Sequence, residues 1–321
     1  MAIIELEGKS YPCEENETVL DCLTRHGVQV PSSCRAGVCQ SCMMRAEQGE
    51  IPKAAQVGLK PTRVTQGYFL ACSCKPQDDL RIRFPDAEGL RMGARVVGKE
   101  LLSHDIVAVR LVPDKPMDYR AGQFIRLFRD GGLSRCYSLA SVPVLDEWLE
   151  LHVRHVPGGQ VSGWVHGDLS PGDSVQIADS SGHCFYVPDQ QDRAMLLVGT
   201  GSGLAPLYGI VRDALHQGHW GPVWLYHGSH GSKGLYRVDE LHELERQFAN
   251  FHYVPCVSHE KPSNGMRQGM VLDVVAGDHE SLDGWQAFLC GHPDMVTLGK
   301  TQLFLSGVSL SEIYADPFVA S

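Results

Sequence analysis

Basic residues are in short supply. Against 38 aspartates and glutamates stand 28 lysines and arginines, a formal charge of −10. A phosphate backbone needs a basic footprint, so nucleic acid is excluded as a partner and adhesion to an anionic membrane surface is disfavoured. The acidic residues are spread along the chain and not gathered in a tail, so they serve solubility. Long apolar runs are missing too, and none approaches the roughly 20 residues of a membrane-spanning helix. The opening Met1-Ala2-Ile3-Ile4-Glu5 has neither the basic stretch nor the apolar core of a signal peptide, so the chain is expected in the cytoplasm. Eleven cysteines in 321 residues are too sparse, and odd in number, for a disulfide scaffold. Internal repeats and low-complexity segments are absent. An apolar fraction of 43% is enough for ordinary cores, and the length implies two or three domains.

The cysteines are where chemistry begins. Cys34-Arg35-Ala36-Gly37-Val38-Cys39-Gln40-Ser41-Cys42 places three thiols at C-x4-C-x2-C, with Cys72 downstream. Two tetrahedral irons sharing two sulfides need four thiolates converging from different directions, so one loop can supply three and a distant residue the fourth. Ala36, Gly37, Val38 and Ser41 are small enough for backbone N–H groups to turn toward a negatively charged cluster, and Arg35 offsets part of its charge. Zinc is the plainer reading of a C-x2-C pair, but structural zinc sites come as two such pairs and the four-residue gap here is wrong for one. Cys72 and Cys74 are both available as the fourth ligand. The spacing resembles that of plant-type 2Fe–2S ferredoxins, and since their fourth ligand follows a Leu-Ala or similar pair, Leu70-Ala71-Cys72 makes the resemblance favour Cys72.

In chain order, Ile3-Ile4-Glu5-Leu6-Glu7, a turn at Gly8-Lys9-Ser10 and Tyr11-Pro12-Cys13 read as an opening hairpin. Asn16 precedes a short amphipathic helix over 17–26, closed by Gly27. After the cysteine loop comes a polar connector, then the alternating strand Asp79-Leu80-Arg81-Ile82-Arg83-Phe84. This order of elements is similar to that of a β-grasp ferredoxin. A linker over 86–93 leads to short strands separated by Gly, Pro and Asp, near 94–100, 104–112, 123–128, 148–156 and 174–178, an antiparallel barrel. Beyond Asp192, strands alternate with helices at 207–216 and 238–248, the pattern of a parallel sheet covered on both faces.

Arg135-Cys136-Tyr137-Ser138 supplies a cation for pyrophosphate, a ring to lie against an isoalloxazine and a hydroxyl to reach its edge. Alone, four such residues are as easily a barrel strand with a solvated arginine. Their neighbours carry the argument: Arg120-Ala121-Gly122-Gln123-Phe124 upstream, His152-Val153-Arg154-His155-Val156 downstream, then Gly158-Gly159-Gln160-Val161-Ser162, a turn offering N–H groups and a hydroxyl to phosphate at a helix start. Together they resemble the FAD barrel of the ferredoxin–NADP reductase superfamily. Gly199-Thr200-Gly201-Ser202-Gly203-Leu204-Ala205-Pro206 follows a strand and opens a helix, as a nucleotide loop must. Its glycines do not match G-x-G-x-x-G, but it resembles that superfamily's Gly-Thr-Gly-Thr-Gly-x-Ala-Pro loop, with Ser202 at the usual threonine. Cys290-Gly291-His292-Pro293-Asp294-Met295 resembles its Cys-Gly-x-Pro-x-Met signature. The resemblance implies that Cys290 lies beside the nicotinamide; a buried core thiol is the alternative. Phe318 either covers the flavin or anchors the tail. The histidines show no metal spacing.

The resemblance covers nearly the whole chain, in the order of the reductase components that feed multicomponent oxygenases, of the benzoate dioxygenase reductase type. It implies a multidomain chain, α+β then α/β: a β-grasp ferredoxin over 1–88, an antiparallel FAD-binding β-barrel over 94–190 and a parallel-sheet α/β NAD(P)-binding domain over 191–321. Implied ligands are Cys34, Cys39, Cys42 and Cys72 for a 2Fe–2S cluster. Arg135, Tyr137, Ser138, His152, Val153, Arg154, Gly158, Gly159, Gln160, Val161, Ser162 and Phe318 would hold FAD, and Thr200, Gly201, Ser202, Pro206, Cys290 and Gly291 the nicotinamide nucleotide. Ser138 and Cys290 would stand at the reacting atoms, with no protein acid or base required. Electrons would pass from NADH, or alternatively NADPH, through FAD and the cluster to a terminal oxygenase or another one-electron acceptor protein. A deoxysugar dehydratase or a soluble monooxygenase is the alternative acceptor, and a redox sensor with the same cofactors the alternative class. NADH is favoured because position 230, where NADPH-selective relatives carry arginine, is histidine. Lys233 and Arg237 remain within reach of a 2′-phosphate, and no acid in residues 226–237 would repel one.

Overall fold

Glu7 and Gly8 both take left-handed backbone angles, φ 51° and 76°, and that pair makes the tight turn joining β1 (Ile3–Leu6) to β2 (Lys9–Pro12). The computed structural model describes residues 2–32, 35, 42–85, 91–129, 133–262 and 265–318. It divides into two units, Met1–Glu88 and Gly89–Ser321.

In the first unit Thr18, not Asn16, caps α1 (Val19–Arg25): its Oγ1 accepts from the Asp21 N–H at 3.1 Å. Asn16 instead takes the left-handed turn that leads in. α1 buries Val19, Leu20, Cys22 and Leu23 and ends where Gly27 adopts φ 80°. The expected polar connector is a correction. It contains β3 (Met43–Gln48), α2 (Pro61–Thr65) and β4 (Tyr68–Leu70), ahead of β5 (Leu80–Arg83). The β3 sequence has no β-branched residue and only Met44 is wholly buried, so pairing with β4 and β5, not local preference, makes it a strand. The sheet order is β2-β1-β5-β3-β4, with β1 and β5 parallel and the other pairs antiparallel.

The second unit opens with β6 (Arg91–Leu101), β7 (Ile106–Pro113), β8 (Phe124–Phe128), β9 (Ser134–Ser138), β10 (Leu149–Arg154), α3 (Gln160–Gly167) and β11 (Ser174–Ala178). The strands form one antiparallel sheet, β10-β7-β6-β11-β8-β9, and a bridge from Leu139 to Leu151 joins its two edges into a barrel. Val109, Leu111, Ile125, Leu127, Leu151 and Ile177 fill the interior.

A second sheet follows. Its elements are β12 (Met195–Thr200), α4 (Leu204–His216), β13 (Val223–Ser229), α5 (Val238–Gln247), β14 (Phe251–Val257), β15 (Arg267–Gln268), α6 (Val271–Asp278), β16 (Gln286–Gly291), α7 (Pro293–Leu305) and β17 (Ile313–Pro317). All neighbours are parallel in the order β15-β14-β13-β12-β16-β17. β12 is a near-continuous apolar run because both its faces are covered: Met195 and Leu197 join one core, Leu196 and Val198 the other. The strand order reverses at β12, so a crevice opens beyond its carboxyl end.

The barrel and this sheet are tied by buried charge. Glu150 of β10 accepts from Arg110 Nε at 2.8 Å through Oε2 and from Arg237 Nη2 at 3.0 Å through Oε1, and His152 Nε2 lies 3.0 Å from that same Oε1. Arg237 precedes α5 at φ 56°, a left-handed conformation that directs its guanidinium back to the barrel. Burial pushes the Glu150 carboxyl up, but His152, Arg110 and Arg237 outweigh it and hold the group well below the carboxylate range. Its contribution is therefore complete above the unfolded carboxylate value of about 4.3 and is withdrawn as pH falls below it. Glu150→Leu should cost about 3–5 kcal/mol at neutral pH, since it takes the buried carboxylate from two partly buried guanidinium groups and leaves them only Glu100 and Glu240 at the surface. Denaturant unfolding checks this, and the difference from wild type should shrink as pH falls below about 4, because the unfolded chain's carboxylate then takes up protons while the native one stays ionised.

Candidate functional site

β9 brings Arg135, Tyr137 and Ser138 to one wall of a cleft of about 1940 Å³ that runs from the barrel to the carboxyl ends of the parallel strands. Pockets for single ligands run to about 1,000 Å³, so this one has room for two large ones. Burial pushes the Tyr137 phenol up to about 12, so the ring is neutral at any physiological pH. Opposite lie Gly159, Gln160, Val161 and Ser162 at the start of α3, whose amino end has no side-chain cap. Ser162 Oγ accepts from the Val156 N–H at 3.1 Å. A Cβ on Gly159 would sit 2.5 Å from that oxygen, so only glycine leaves the turn its shape. Arg154 borders the same space with Nε donating to Asp105 at 2.7 Å. Uncapped N–H groups, two arginines and a neutral phenol are a donor set suited to a phosphate-bearing, ring-bearing ligand.

The loop after β12 forms the next stretch of wall with Thr200, Gly201 and Ser202. It lies directly on the end of β16. A Cβ on Gly203 would stand 2.2 Å from the Cys290 carbonyl oxygen, and one on Gly291, at φ 122°, would stand 2.6 Å from the Thr200 carbonyl. Thr200 Oγ1 accepts from the His292 N–H at 3.1 Å, fastening the two ends. Gly291 and Phe318 border the cleft, and the Phe318 N–H donates to the Gly291 carbonyl at 2.8 Å.

Other expected residues are placed differently. Cys290 is wholly buried, with Sγ 3.7 Å from Cys184 Sγ, and burial pushes its thiol up. Val153 points into the barrel core, Pro206 is buried in the first turn of α4, and Gly158 forms an exposed turn outside the lining. His152 reaches the cleft edge, but its ring is committed to Glu150 through Nε2 and, at 3.1 Å, to the Tyr236 hydroxyl through Nδ1. A carboxylate only accepts, so Nε2 carries the proton and Nδ1 accepts from Tyr236. Burial holds this imidazole neutral.

One residue escaped the sequence reading. Asp316 of β17 comes within 3.2 Å of Ser138, whose hydroxyl donates to its Oδ2. Burial raises this carboxyl above its ordinary range and the Ser138 hydrogen bond lowers it. An ionisable group therefore does border the cleft beside Ser138. No local motif marks it; only the pairing of β17 beside β16 delivers it.

In the first unit Cys34 and Cys39 lie outside the described residues. Cys42 precedes β3 and Cys72 follows β4; their thiols are near enough to interact, and the Ala71 N–H donates to the Cys42 carbonyl at 3.0 Å. Two converging soft ligands fit the thiolate set of an iron–sulfur cluster. Cys74 is wholly buried in the core, and burial pushes its thiol up to about 12. Among the described residues the one other group at metal-ligand spacing is Cys13, Glu17 and Cys22, whose carboxylate is already held by Arg25 at 2.8 Å.

Known proteins match the chain along nearly its whole length. Models of a 2Fe-2S iron-sulfur cluster binding domain, an oxidoreductase FAD-binding domain and an oxidoreductase NAD-binding domain match residues 3–77, 93–186 and 197–300. The chain is 34% identical to the reductase subunit of an aromatic O-demethylase from Amycolatopsis sp., over 98% of both chains. It is 31% identical to the ferredoxin–NAD(P)(+) reductase component of a naphthalene 1,2-dioxygenase system from Pseudomonas putida, again over 98% of each. Among solved structures, the Amycolatopsis cytochrome P450 reductase GcoB superposes with a TM-score of 0.70 at 32% identity, covering 99% of both chains.

Ser138→Ala removes the donor that lowers the Asp316 carboxyl, so that carboxyl should titrate still higher in the variant. Carboxyl chemical shifts followed through a pH titration check the direction; an unchanged or lower value would break the link between the two residues.

Proposed function

We propose that this chain, which belongs to the ferredoxin–NAD(P)+ reductase components of oxygenase systems, a 2Fe–2S ferredoxin fused to a ferredoxin–NADP reductase-like module, carries electrons from NADH to a terminal oxygenase. It is an oxidoreductase with three cofactor domains, and we place their divisions at 1–88, 94–190 and 191–321, a reading that the three separate sheets support. The observation that carries the reading is the single cleft in which the β9 side chains, the open start of α3 and the touching ends of β12 and β16 face one another. A nicotinamide releases electrons in a pair and a 2Fe–2S cluster accepts them singly, and FAD can do both.

The residues supply binding and orientation. Arg135 would pair with pyrophosphate, with the α3 N–H groups and Ser162 completing the phosphate site. Tyr137 would offer its neutral face to the flavin ring, and Ser138, held by Asp316, would present its hydroxyl at the ring edge. Thr200, Gly201 and Ser202 would take the nicotinamide nucleotide, with Gly291 allowing close approach and Phe318 covering the site. Cys290 would act from beneath the loop by shaping the floor. Val153 and Gly158 would contribute through the main chain, His152 by locking β10, and Pro206 by starting α4. Cys34, Cys39, Cys42 and Cys72 would hold the cluster.

The acceptor would be a dioxygenase or a P450-type monooxygenase, in keeping with the relatives. A cytoplasmic location agrees with the absence, among the described residues, of any helix long and apolar enough to cross a membrane.

The spectrum of the purified protein tests the reading: flavin bands with iron–sulfur shoulders should bleach with NADH, and a spectrum that NADH leaves unchanged would refute it. Cys42→Ser and Cys72→Ser should lose the iron–sulfur absorbance and cytochrome c reduction yet keep FAD and ferricyanide reduction. Cys74→Ser should keep all four. Arg135→Ala should weaken FAD retention by about ten- to a hundredfold, the worth of one charge-assisted hydrogen bond, as measured by flavin dissociation.

A further inference from the structure

Beyond Gly228 the cleft continues to the carboxyl ends of β13 and β14, where two loops run side by side. The Ser258 N–H donates to the Ser229 carbonyl at 3.1 Å and the His259 N–H to the His230 carbonyl at 2.9 Å. One step further, Glu260 Oε1 accepts from the Ser232 N–H at 2.8 Å. Its other oxygen packs on Gly231, where a Cβ would come within 2.6 Å of it. The carboxylate is thus pinned at two points while the residue stays exposed and borders the cleft. The Ser232 bonds, with Lys233 adding less, hold it below the ordinary carboxylate range, so it is ionised at neutral pH.

Two expectations change here. Arg237 does not face this region, because its guanidinium is taken by Glu150 at 3.0 Å and Glu240 at 2.8 Å. An acid is present after all, delivered by the loop after β14 and so invisible in residues 226–237. The charges that border this end of the cleft are then Lys233 and Glu260, with Asp273 of the first turn of α6 a second acid.

Resting on the nicotinamide-nucleotide reading above, we infer that Glu260 selects NADH over NADPH, its carboxylate accepting from the adenosine ribose 2′-hydroxyl and repelling a 2′-phosphate. The general chemistry supports the assignment. In doubly wound sheets an acidic side chain past the strand ends accepts from the ribose hydroxyls, and a phosphate monoester there meets like charge. Glu260 also offsets Lys233, which would otherwise attract the phosphate.

The test uses the full-length protein with FAD and cluster in place. Glu260→Gln should shift the ratio of kcat/KM for NADPH to that for NADH upward by on the order of tenfold, about one charge-assisted hydrogen bond. Gly231→Ala, whose methyl displaces the carboxylate, should shift it the same way. Calorimetric titration gives a readout independent of turnover: wild type should bind 5′-AMP more tightly than 2′,5′-ADP. Glu260→Gln should gain affinity for 2′,5′-ADP, and adding Lys233→Ala should remove that gain. A wild-type preference for NADPH, or a ratio unchanged in Glu260→Gln while NADH still bleaches the flavin, overturns this inference alone. Failure of both nucleotides to reduce the flavin overturns the reading of the site, and the inference with it.

Discussion

The buried meeting of Glu150 with Arg110, Arg237 and His152 sets the geometry on which the cleft depends. Barrel and nucleotide sheet share a boundary, and apolar packing alone, being non-directional, tolerates sliding along it. Charged groups withdrawn from water do not, because each displaced partner leaves a desolvated charge. Arg237 accepts a left-handed backbone to reach Glu150, and Tyr236 beside it donates to the Nδ1 that the Glu150-fixed His152 tautomer leaves open. Further along the same boundary Arg212 forms a two-point pair with Asp146 at 2.8 and 2.9 Å. α4 there lies close enough that a Cβ on Gly209 would be 3.1 Å from the Ala140 carbonyl. β9 and the ends of β12 and β16 are thereby held facing one another before any ligand arrives.

Local chemistry was legible in the sequence where one loop or one strand carries it. The cysteine spacing, the Arg135, Tyr137 and Ser138 order and the glycine loop after β12 each pointed, within a few residues, to a domain that a family model matches. The barrel, the parallel sheet and the β-grasp order could be read from strand and helix periods for the same reason. What stayed hidden was whatever one element supplies to another. Asp316 meets Ser138 across 178 positions of sequence. Glu260 serves a site whose segment lies in the preceding loop. β3 is a strand because β4 and β5 pair on either side of it, and its unbranched stretch gave no local sign of that. His152 and Cys290 fit their motifs, yet one ring is spent on the domain boundary and one thiol lies wholly within the core.

The glycine contacts show why the nucleotide loop has its composition. Gly203 is pressed on Cys290 and Gly291 on Thr200, so any side chain there would part the ends of β12 and β16. Those ends are where the strand order reverses, and separating them would widen the crevice at its floor. The glycines thus serve strand-to-strand contact as much as ligand approach.

The parallel pairing of β1 with β5 has a mechanical consequence. Ile4, Glu5 and Leu6 lie opposite Leu80, Arg81 and Ile82, with Arg81 Nε donating to Glu5 at 2.8 Å across the pair. Because the two strands run the same way, the amino end of β1 and the carboxyl end of β5 leave the sheet at opposite ends. Tension between the start of the chain and the segment beyond residue 85 therefore acts along the strands, not across them. Every bond of the ladder is loaded together in shear, and the ferredoxin unit resists being pulled open from its two ends.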